Sequence, residues 1–191
     1  MLKIKILLLL TSISMFFVYV SKQIYFNNIE EQELIETTIK EINGEPLKQQ
    51  EIVIKNHNNK KYNYKIIIEI PKINIKKGIL DKNNKNNNVD KNVTILKESV
   101  YPGETGNIYI AAHSGNGIHS YFNKIDQLRT NDIVNLYYNN KKYSYSLFNV
   151  KYINKSDGIT LLSKDKNTLF LITCSQKYKN KYLILYFRGQ Q

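Results

Sequence analysis

The chain has 191 residues and a formal net charge of +12. This length is enough for one domain that buries a core without the help of disulfides. The single cysteine excludes an intramolecular disulfide, so its thiol is either buried and inert or exposed and reactive.

The first predicted element is an apolar membrane anchor. Residues 6–20 are apolar apart from three hydroxyl side chains, and residues 24–26 extend this run towards the ~20 residues that cross a bilayer. Lys3 and Lys5 favour a cytoplasmic N-terminus, which leaves the rest of the chain outside the cell. A cleaved signal peptide is the alternative, but the segment has no pair of small residues at cleavage-site spacing. We therefore expect a single-pass anchor over residues 1–26.

A glutamate-rich segment, residues 27–51, follows the anchor, with isoleucines at a loosely helical spacing. It predicts a juxtamembrane helix that ends near Gly44 and Pro46. We interpret it as a stalk, with a lid over an active site as the alternative. Residues 52–191 form the remaining domain, which is strongly basic. Outside a cell this charge would attract anionic lipid headgroups or wall polymers rather than nucleic acid, although a Lys/Asn-rich composition explains it equally well.

Strand-like runs alternate with turn signals through the basic domain. They cover residues 62–70, 73–79, 107–113, 133–138, 143–153, 168–174 and 182–188. Asn139 and Asn140 tolerate a positive φ and predict a hairpin turn, and the Asn/Lys-rich residues 81–92 predict a surface loop. Short helices are expected at residues 93–99 and 118–128. The pattern predicts a mostly β fold, namely a single mixed β-barrel with peripheral helices.

Two of the predicted strands end in side chains that could form a nucleophilic pair. Residues 169–173 deliver Cys174 to the polar end of a strand, where rigid structure holds the thiol within reach of a substrate. Residues 107–112 deliver His113 in the same way. An imidazole that takes the thiol proton makes cysteine a nucleophile, which suggests a cysteine transferase or peptidase. The alternatives are a packed, inert cysteine and a histidine that caps a polar network.

These residues resemble the sortases, the membrane-anchored cysteine transpeptidases of Gram-positive bacteria. The motifs that carry the resemblance follow one another in the family's order over roughly the last two thirds of the chain. They are Ile70-Pro71-Lys72-Ile73, Pro102-Gly103-Glu104-Thr105-Gly106-Asn107 leading into Ile110-Ala111-Ala112-His113, Tyr121-Phe122 with Leu128, and Leu171-Ile172-Thr173-Cys174. The resemblance implies a barrel of about eight strands, preceded by a transmembrane helix and a helical stalk.

The resemblance also implies a reaction. Cys174 would attack the carbonyl of an LPXTG-like sorting signal on a surface protein, with His113 as acid and base. The acyl group would pass to an amine of a peptidoglycan precursor or a pilin lysine, and neither a metal nor an organic cofactor is implied. One alternative is an extracellular cysteine peptidase. Another is a catalytically silent, basic surface module on a membrane stalk.

The chain departs from the family at one position. Sortases use an arginine on the strand after the cysteine to stabilise the oxyanion, but the matching residue is Tyr182. Arg188 lies six residues further along, roughly 20 Å away at ~3.3 Å per residue. We expect Tyr182 or Lys181 to replace the arginine, with Arg188 as the other candidate.

Residues 154–167 lie where sortases place a substrate-contacting loop. Its isoleucine and two leucines either hold the aliphatic part of the sorting motif or pin the loop to the core. Asp157 and Asp165 are isolated carboxylates, whereas calcium takes ~6 to 8 oxygen ligands. We therefore predict no metal site.

Overall fold

The computed structural model describes residues 2–47, 62–157 and 167–190 of the chain. One long helix, α1 (Leu2–Ile42), precedes the eight strands that these residues form. The strands are β1 (Ile66–Ile70), β2 (Ile75–Ile79), β3 (Thr94–Ile95), β4 (Ile108–Ala111), β5 (Ile133–Tyr138), β6 (Lys141–Asn154), β7 (Thr168–Cys174) and β8 (Lys181–Gly189). Short 3₁₀ helices lie at Pro71–Ile73, Ile125–Gln127 and Lys155–Asp157.

The strands form one sheet in the order β2-β1-β5-β6-β8-β7-β4-β3, which curls into a nearly closed barrel. Neighbouring strands run antiparallel except β4 and β7, which run parallel. The predicted mostly β barrel is therefore confirmed. The predicted hairpin turn is confirmed as well, since Asn139 and Asn140 join β5 to β6 with φ of 48° and 56°.

Of the two short helices expected in the barrel domain, the one at residues 93–99 is wrong, and the one at residues 118–128 is only a three-residue 3₁₀ helix. Residues 93–99 contain β3 instead, because the buried Thr94 and Ile95 pair with the edge of β4. Residues 118–128 contain the 3₁₀ helix Ile125–Gln127 within a run of turns. Their buried side chains recur every third residue, a spacing that suits a 3₁₀ helix rather than an α-helix. These side chains are Phe122, Ile125 and Leu128.

Side chains alternate between the two faces of the β4-β7-β8 part of the sheet. Those facing the barrel core include Ile108, Ile110, Leu169, Leu171, Leu183 and Leu185. The residues between them form a second buried cluster on the outer face, made of Tyr109, Phe170, Ile172 and Ile184 with Leu96, Ala111, Ile153, Tyr182 and Tyr186 packed against it. This alternation determines the face on which the residues at the strand ends lie.

Helix α1 runs without a break through the predicted anchor and most of the predicted stalk. By length and composition it is able to cross a membrane. Its C-terminal part packs on the barrel, where Ile35 and Ile39 are buried against Ile67 and Tyr137. The helix ends just before Gly44, close to the predicted end.

Ion pairs reinforce this packing between α1 and β2. Glu36 lies 2.8 Å from the Lys76 ammonium, and Glu31 lies 3.4 Å from the Lys77 ammonium. Burial, together with the nearby Glu31 carboxylate, raises the pKa of Tyr64. The C-terminal part of the helix is thus docked on the barrel.

Candidate active site

The parallel pair β4 and β7 places the ends of the two predicted motifs side by side. Ala111 is level with Ile172, and the Ala112 amide donates a 3.2 Å hydrogen bond to the Ile172 carbonyl. Continued two residues past Ala111 and Ile172, this register matches His113 with Cys174. Adjacent strands are ~4.8 Å apart, so the two residues are neighbours at one end of the sheet.

His113 and Cys174 also belong to the same face of the sheet. Each lies two residues beyond an outward-facing residue of its strand, Ala111 or Ile172, and the alternation places both on the outer face. Thr173 faces inward, and its hydroxyl donates a 2.7 Å hydrogen bond to the Ala112 carbonyl. Cys174 is partly exposed and the His113 side chain is 44% exposed, so solutes can reach the pair.

Polar contacts connect the loops that follow these two residues. The Ser114 hydroxyl donates a 2.6 Å hydrogen bond to the carbonyl oxygen of Cys174. The Asn123 side chain accepts a hydrogen bond from the Gly115 amide, and the Asn123 carbonyl accepts one of 2.8 Å from Gln176. The two strand ends are therefore fixed relative to each other by more than the sheet itself.

A carboxylate that the sequence analysis missed accompanies His113. Asp90 Oδ1 lies 3.1 Å from His113 Nε2. An ionised carboxylate only accepts hydrogen bonds, so we assign the ring proton to Nε2, which leaves Nδ1 able to accept a proton. The Asp90 amide is held by Asn88 Oδ1 at 2.9 Å. The only feature of the sequence that distinguishes Asp90 is its isolation, since no other Asp or Glu lies between Asp81 and Glu98.

Tyr182 lies directly opposite Cys174 in the β7–β8 register. Its ring packs on the outer cluster, and the Lys155 ammonium lies 5.4 Å from the ring centroid. Lys181, the other expected substitute for the arginine, lies with its ammonium 5.5 Å from the Tyr178 ring centroid. Tyr182 is thus the candidate that the register brings level with the thiol.

Both arginines of the chain are among the described residues, and neither lies at this end of the sheet. Arg188 pairs with Thr168, six residues from Cys174 and therefore about 20 Å away. Its guanidinium lies 4.8 Å from the Phe148 ring centroid, beside a cavity of about 820 Å³ at the far end of the barrel. Arg129 donates to two backbone carbonyls of its own turn.

No group of three His, Cys, Asp or Glu side chains gathers into a metal site within residues 2–47, 62–157 and 167–190. Most of the expected substrate-contacting loop, including its three apolar residues and Asp165, lies outside the described residues. His119 is described, and its Nδ1 lies 3.2 Å from the Tyr121 hydroxyl.

The family model of the Sortase domain matches residues 68–187. The chain belongs to the sortase family. The resemblance of its motifs is thereby confirmed. This sortase is 30% identical to sortase D of Bacillus subtilis (strain 168) over 109 residues, which cover 56% of the chain. The match covers 52% of that relative, so the chain spans about half its length.

Solved structures share the fold. Sortase C1 from Streptococcus agalactiae matches with a TM-score of 0.58 and 19% identity, over 84% of this chain and 87% of that one. A lid mutant of sortase A from Corynebacterium diphtheriae matches with a TM-score of 0.59 and 17% identity, over 86% of this chain and 95% of that one. At these identities the similarity supports the barrel architecture alone.

Proposed function

We propose that this sortase is a membrane-anchored cysteine transpeptidase that cleaves an LPXTG-like sorting signal and transfers the acyl group to an amine. The observation that supports it best is the placement of Cys174 and His113 at level ends of two parallel strands, on one accessible face. The acceptor is an amine of a peptidoglycan precursor or a pilin lysine. Residues 1–26 anchor the protein with the N-terminus in the cytoplasm, and residues 52–191 form the extracellular catalytic domain.

In the first half of the reaction His113 takes the thiol proton, and the Cys174 sulfur attacks the carbonyl carbon before the scissile bond. A C–S bond forms and the peptide C–N bond breaks. His113 passes the proton to the departing amine, and a thioester remains on the enzyme.

In the second half the acceptor amine attacks the thioester. His113 takes a proton from the amine as the new C–N bond forms, the C–S bond breaks, and the proton returns to the sulfur. The peptide is thus moved from one amine to another without a net change in oxidation state or proton count.

Two neighbouring side chains assist in this scheme. Asp90 orients the imidazole ring of His113 through Nε2, so that Nδ1 is the nitrogen that exchanges protons with the thiol and the amines. The Tyr182 hydroxyl donates a hydrogen bond to the oxyanion, in the role that an arginine has elsewhere in the family.

The proposal is tested with the full chain and a library of sorting-signal peptides. Because Cys174 is the only cysteine, a thiol-reactive peptide analogue can label the enzyme at a single position. We expect labelling that His113→Ala abolishes, and a thioester intermediate that mass spectrometry detects on the wild type. Absence of labelling with every peptide would favour the silent surface module.

Adding an amine separates transfer from hydrolysis. Mass spectrometry of the cleaved peptides should find the acyl part joined to the added amine. If only the free acid forms at every amine concentration, the protein is a cysteine peptidase instead.

A further inference from the structure

Outside α1, the described residues expose three large hydrophobic side chains, and two of them flank the candidate active site. Ile118, 93% exposed, lies in the His113 loop (residues 114–120). Tyr178, 40% exposed, lies in the Cys174 loop (residues 175–180). The third, Val150, lies on β6. An isolated exposed apolar side chain is common on a protein surface, whereas apolar side chains grouped with basic ones at one site indicate a membrane contact.

The His113 loop holds Ile118 outward in a defined turn. The Ser120 hydroxyl accepts a 3.1 Å hydrogen bond from the Gly117 amide, and the Ser120 amide donates one of 3.1 Å to the Gly117 carbonyl. Ile118 is at the tip of this turn. The turn therefore holds the Ile118 side chain in solvent. No apolar surface within the described part of the chain covers it.

Contacts with α1 show which side of the barrel carries this loop. The Lys77 ammonium lies 3.4 Å from the Glu31 carboxylate on α1 and 5.0 Å from the ring centroid of Tyr121, which follows the His113 loop directly. Tyr62, on the same side, donates a 2.8 Å hydrogen bond to the Asn27 carbonyl. Thus the loop lies beside the part of α1 that comes straight after its apolar run.

The barrel contacts α1 only a short distance beyond the end of the helix's apolar run. The exposed apolar residues of α1 continue to Phe26, and Glu31 is five residues further, about 7.5 Å at ~1.5 Å per residue. Because α1 is continuous and docked on the barrel, this spacing is fixed by the fold. A side chain projecting from the neighbourhood of Tyr121 is therefore within reach of the surface of a bilayer that contains the apolar run.

The positive charge of the Cys174 loop and of the start of β8 also suits contact with the bilayer surface. Lys177, Lys179 and Lys181 follow one another at alternate positions, and residues 175–181 contain no acid. Asp90, an acidic residue next to the site, is paired with His113. Lysines beside exposed apolar side chains are the composition of segments that bind anionic membrane surfaces.

We propose that the His113 loop and the Cys174 loop rest on an anionic lipid bilayer, with Ile118 inserted at the headgroup boundary and the lysines on the lipid phosphates. The candidate active site then opens at the membrane surface, where it meets peptides that are themselves held in the bilayer. This inference rests on the proposed anchoring of the protein through α1.

The test uses the absence of tryptophan from the chain. Single tryptophans are introduced by Ile118→Trp, Phe26→Trp and Val150→Trp in the full protein, which is reconstituted in vesicles of phosphatidylcholine with or without phosphatidylglycerol. Brominated lipids quench tryptophans that lie in the bilayer. Phe26→Trp reports the anchor, and Val150→Trp is the matched control for an exposed apolar position on the barrel.

We expect Phe26→Trp to be quenched in all vesicles and Val150→Trp in none. Ile118→Trp should lose about half of its emission in anionic vesicles, because interfacial apolar side chains lie ~5 to 10 Å deep, and less in neutral ones. Changing Lys177, Lys179 and Lys181 to Gln should reduce this loss. Quenching at position 26 without quenching at 118, or equal quenching at 118 in neutral vesicles, overturns the inference and leaves the anchor intact. No quenching at position 26 overturns the anchor as well, while Cys174 labelling tests the chemistry separately.

Discussion

The Ser114 hydroxyl donates a 2.6 Å hydrogen bond to the carbonyl oxygen of Cys174 and so joins the ends of β4 and β7 across the candidate active site. Since Ser114 directly follows His113, this bond links the backbones that carry the imidazole and the thiol. A neutral hydrogen bond contributes only ~1 kcal/mol to stability, but a displacement of about 1 Å at reacting groups can cost 10²-fold in rate. The serine should therefore matter more for the reaction than for the fold.

Ser114→Ala is expected to lower the rate of Cys174 acylation by about tenfold while reducing the free energy of unfolding by ~1 kcal/mol. Single-turnover kinetics with a cleavable peptide and urea denaturation measure the two quantities. Thr105→Ala, which removes an exposed hydroxyl beside the cavity at the far end of the barrel, is the control and should change neither. Equal effects of the two substitutions on acylation would rule out a specific role for Ser114.

Asp90→Ala is expected to slow acylation by about tenfold, because the imidazole ring loses the partner that sets its tautomer. Asp90→Glu should restore part of the rate. Asp126→Ala removes the same charge from an exposed position elsewhere and serves as the control.

Nitrogen-15 NMR of the histidine ring tests the orienting role of Asp90 apart from activity. In the wild type the neutral form of the His113 ring should carry its proton on Nε2, whereas in Asp90→Ala the neutral form should be a mixture of both tautomers. His119, whose Nδ1 contacts Tyr121, is an internal reference that should not change. An unaltered His113 spectrum in Asp90→Ala would refute the assignment even if activity falls.

The sequence predicts the barrel and the Cys174–His113 pair for the same physical reason. Alternating apolar residues make strands, and a strand that ends in a polar turn presents its last side chain at the rim of the sheet. Even the distance of Arg188 from the thiol follows from counting residues along β8. All these features depend on neighbours in the chain or on strand periodicity.

Features that depend on tertiary contacts were not predictable in this way. β3 has two residues and exists only because β4 offers it an edge, so residues 93–99 carry no strand pattern of their own. Asp90 is 23 residues from His113 in the chain, in a segment whose Asn/Lys composition suggests only a surface loop. The packing of α1 on the barrel likewise needs the positions of β1 and β5.

The placement of Tyr182 opposite Cys174 predicts different outcomes for the two candidate oxyanion residues. Tyr182→Phe should lower acylation by about 10²-fold, the cost of losing one oxyanion donor. Arg188→Ala should leave it within about twofold, because the guanidinium lies at the far end of β7 and β8. A loss in Arg188→Ala as large as that in Cys174→Ala would show that the register changes when the substrate binds.

The free energy of unfolding should fall at high pH because the pKa of Tyr101 is raised in the folded protein. Its hydroxyl donates a 2.8 Å hydrogen bond to Asp81, and burial together with this carboxylate raises its pKa to about 12 in the folded protein. The unfolded state releases the proton near pH 10, so folding stability that is complete below pH 10 is lost as the pH rises towards 12. Urea denaturation at pH 9 and pH 11 should show a smaller decline for Tyr101→Phe than for the wild type.

The docking of α1 on the barrel should be visible as a difference between two isoleucines of the same helix. Ile35 is fully buried against the barrel, whereas Ile24 is 55% exposed in the apolar run. Ile35→Ala is expected to lower the free energy of unfolding by ~2 to 5 kcal/mol, the cost of removing a buried isoleucine side chain. Ile24→Ala should have little effect in detergent micelles, where unfolding can be followed by circular dichroism. If the end of α1 is a free stalk, the two variants will unfold alike. A docked helix also holds the His113 loop at a fixed distance from the bilayer, so Ile35→Ala should weaken the lipid quenching of a tryptophan at position 118.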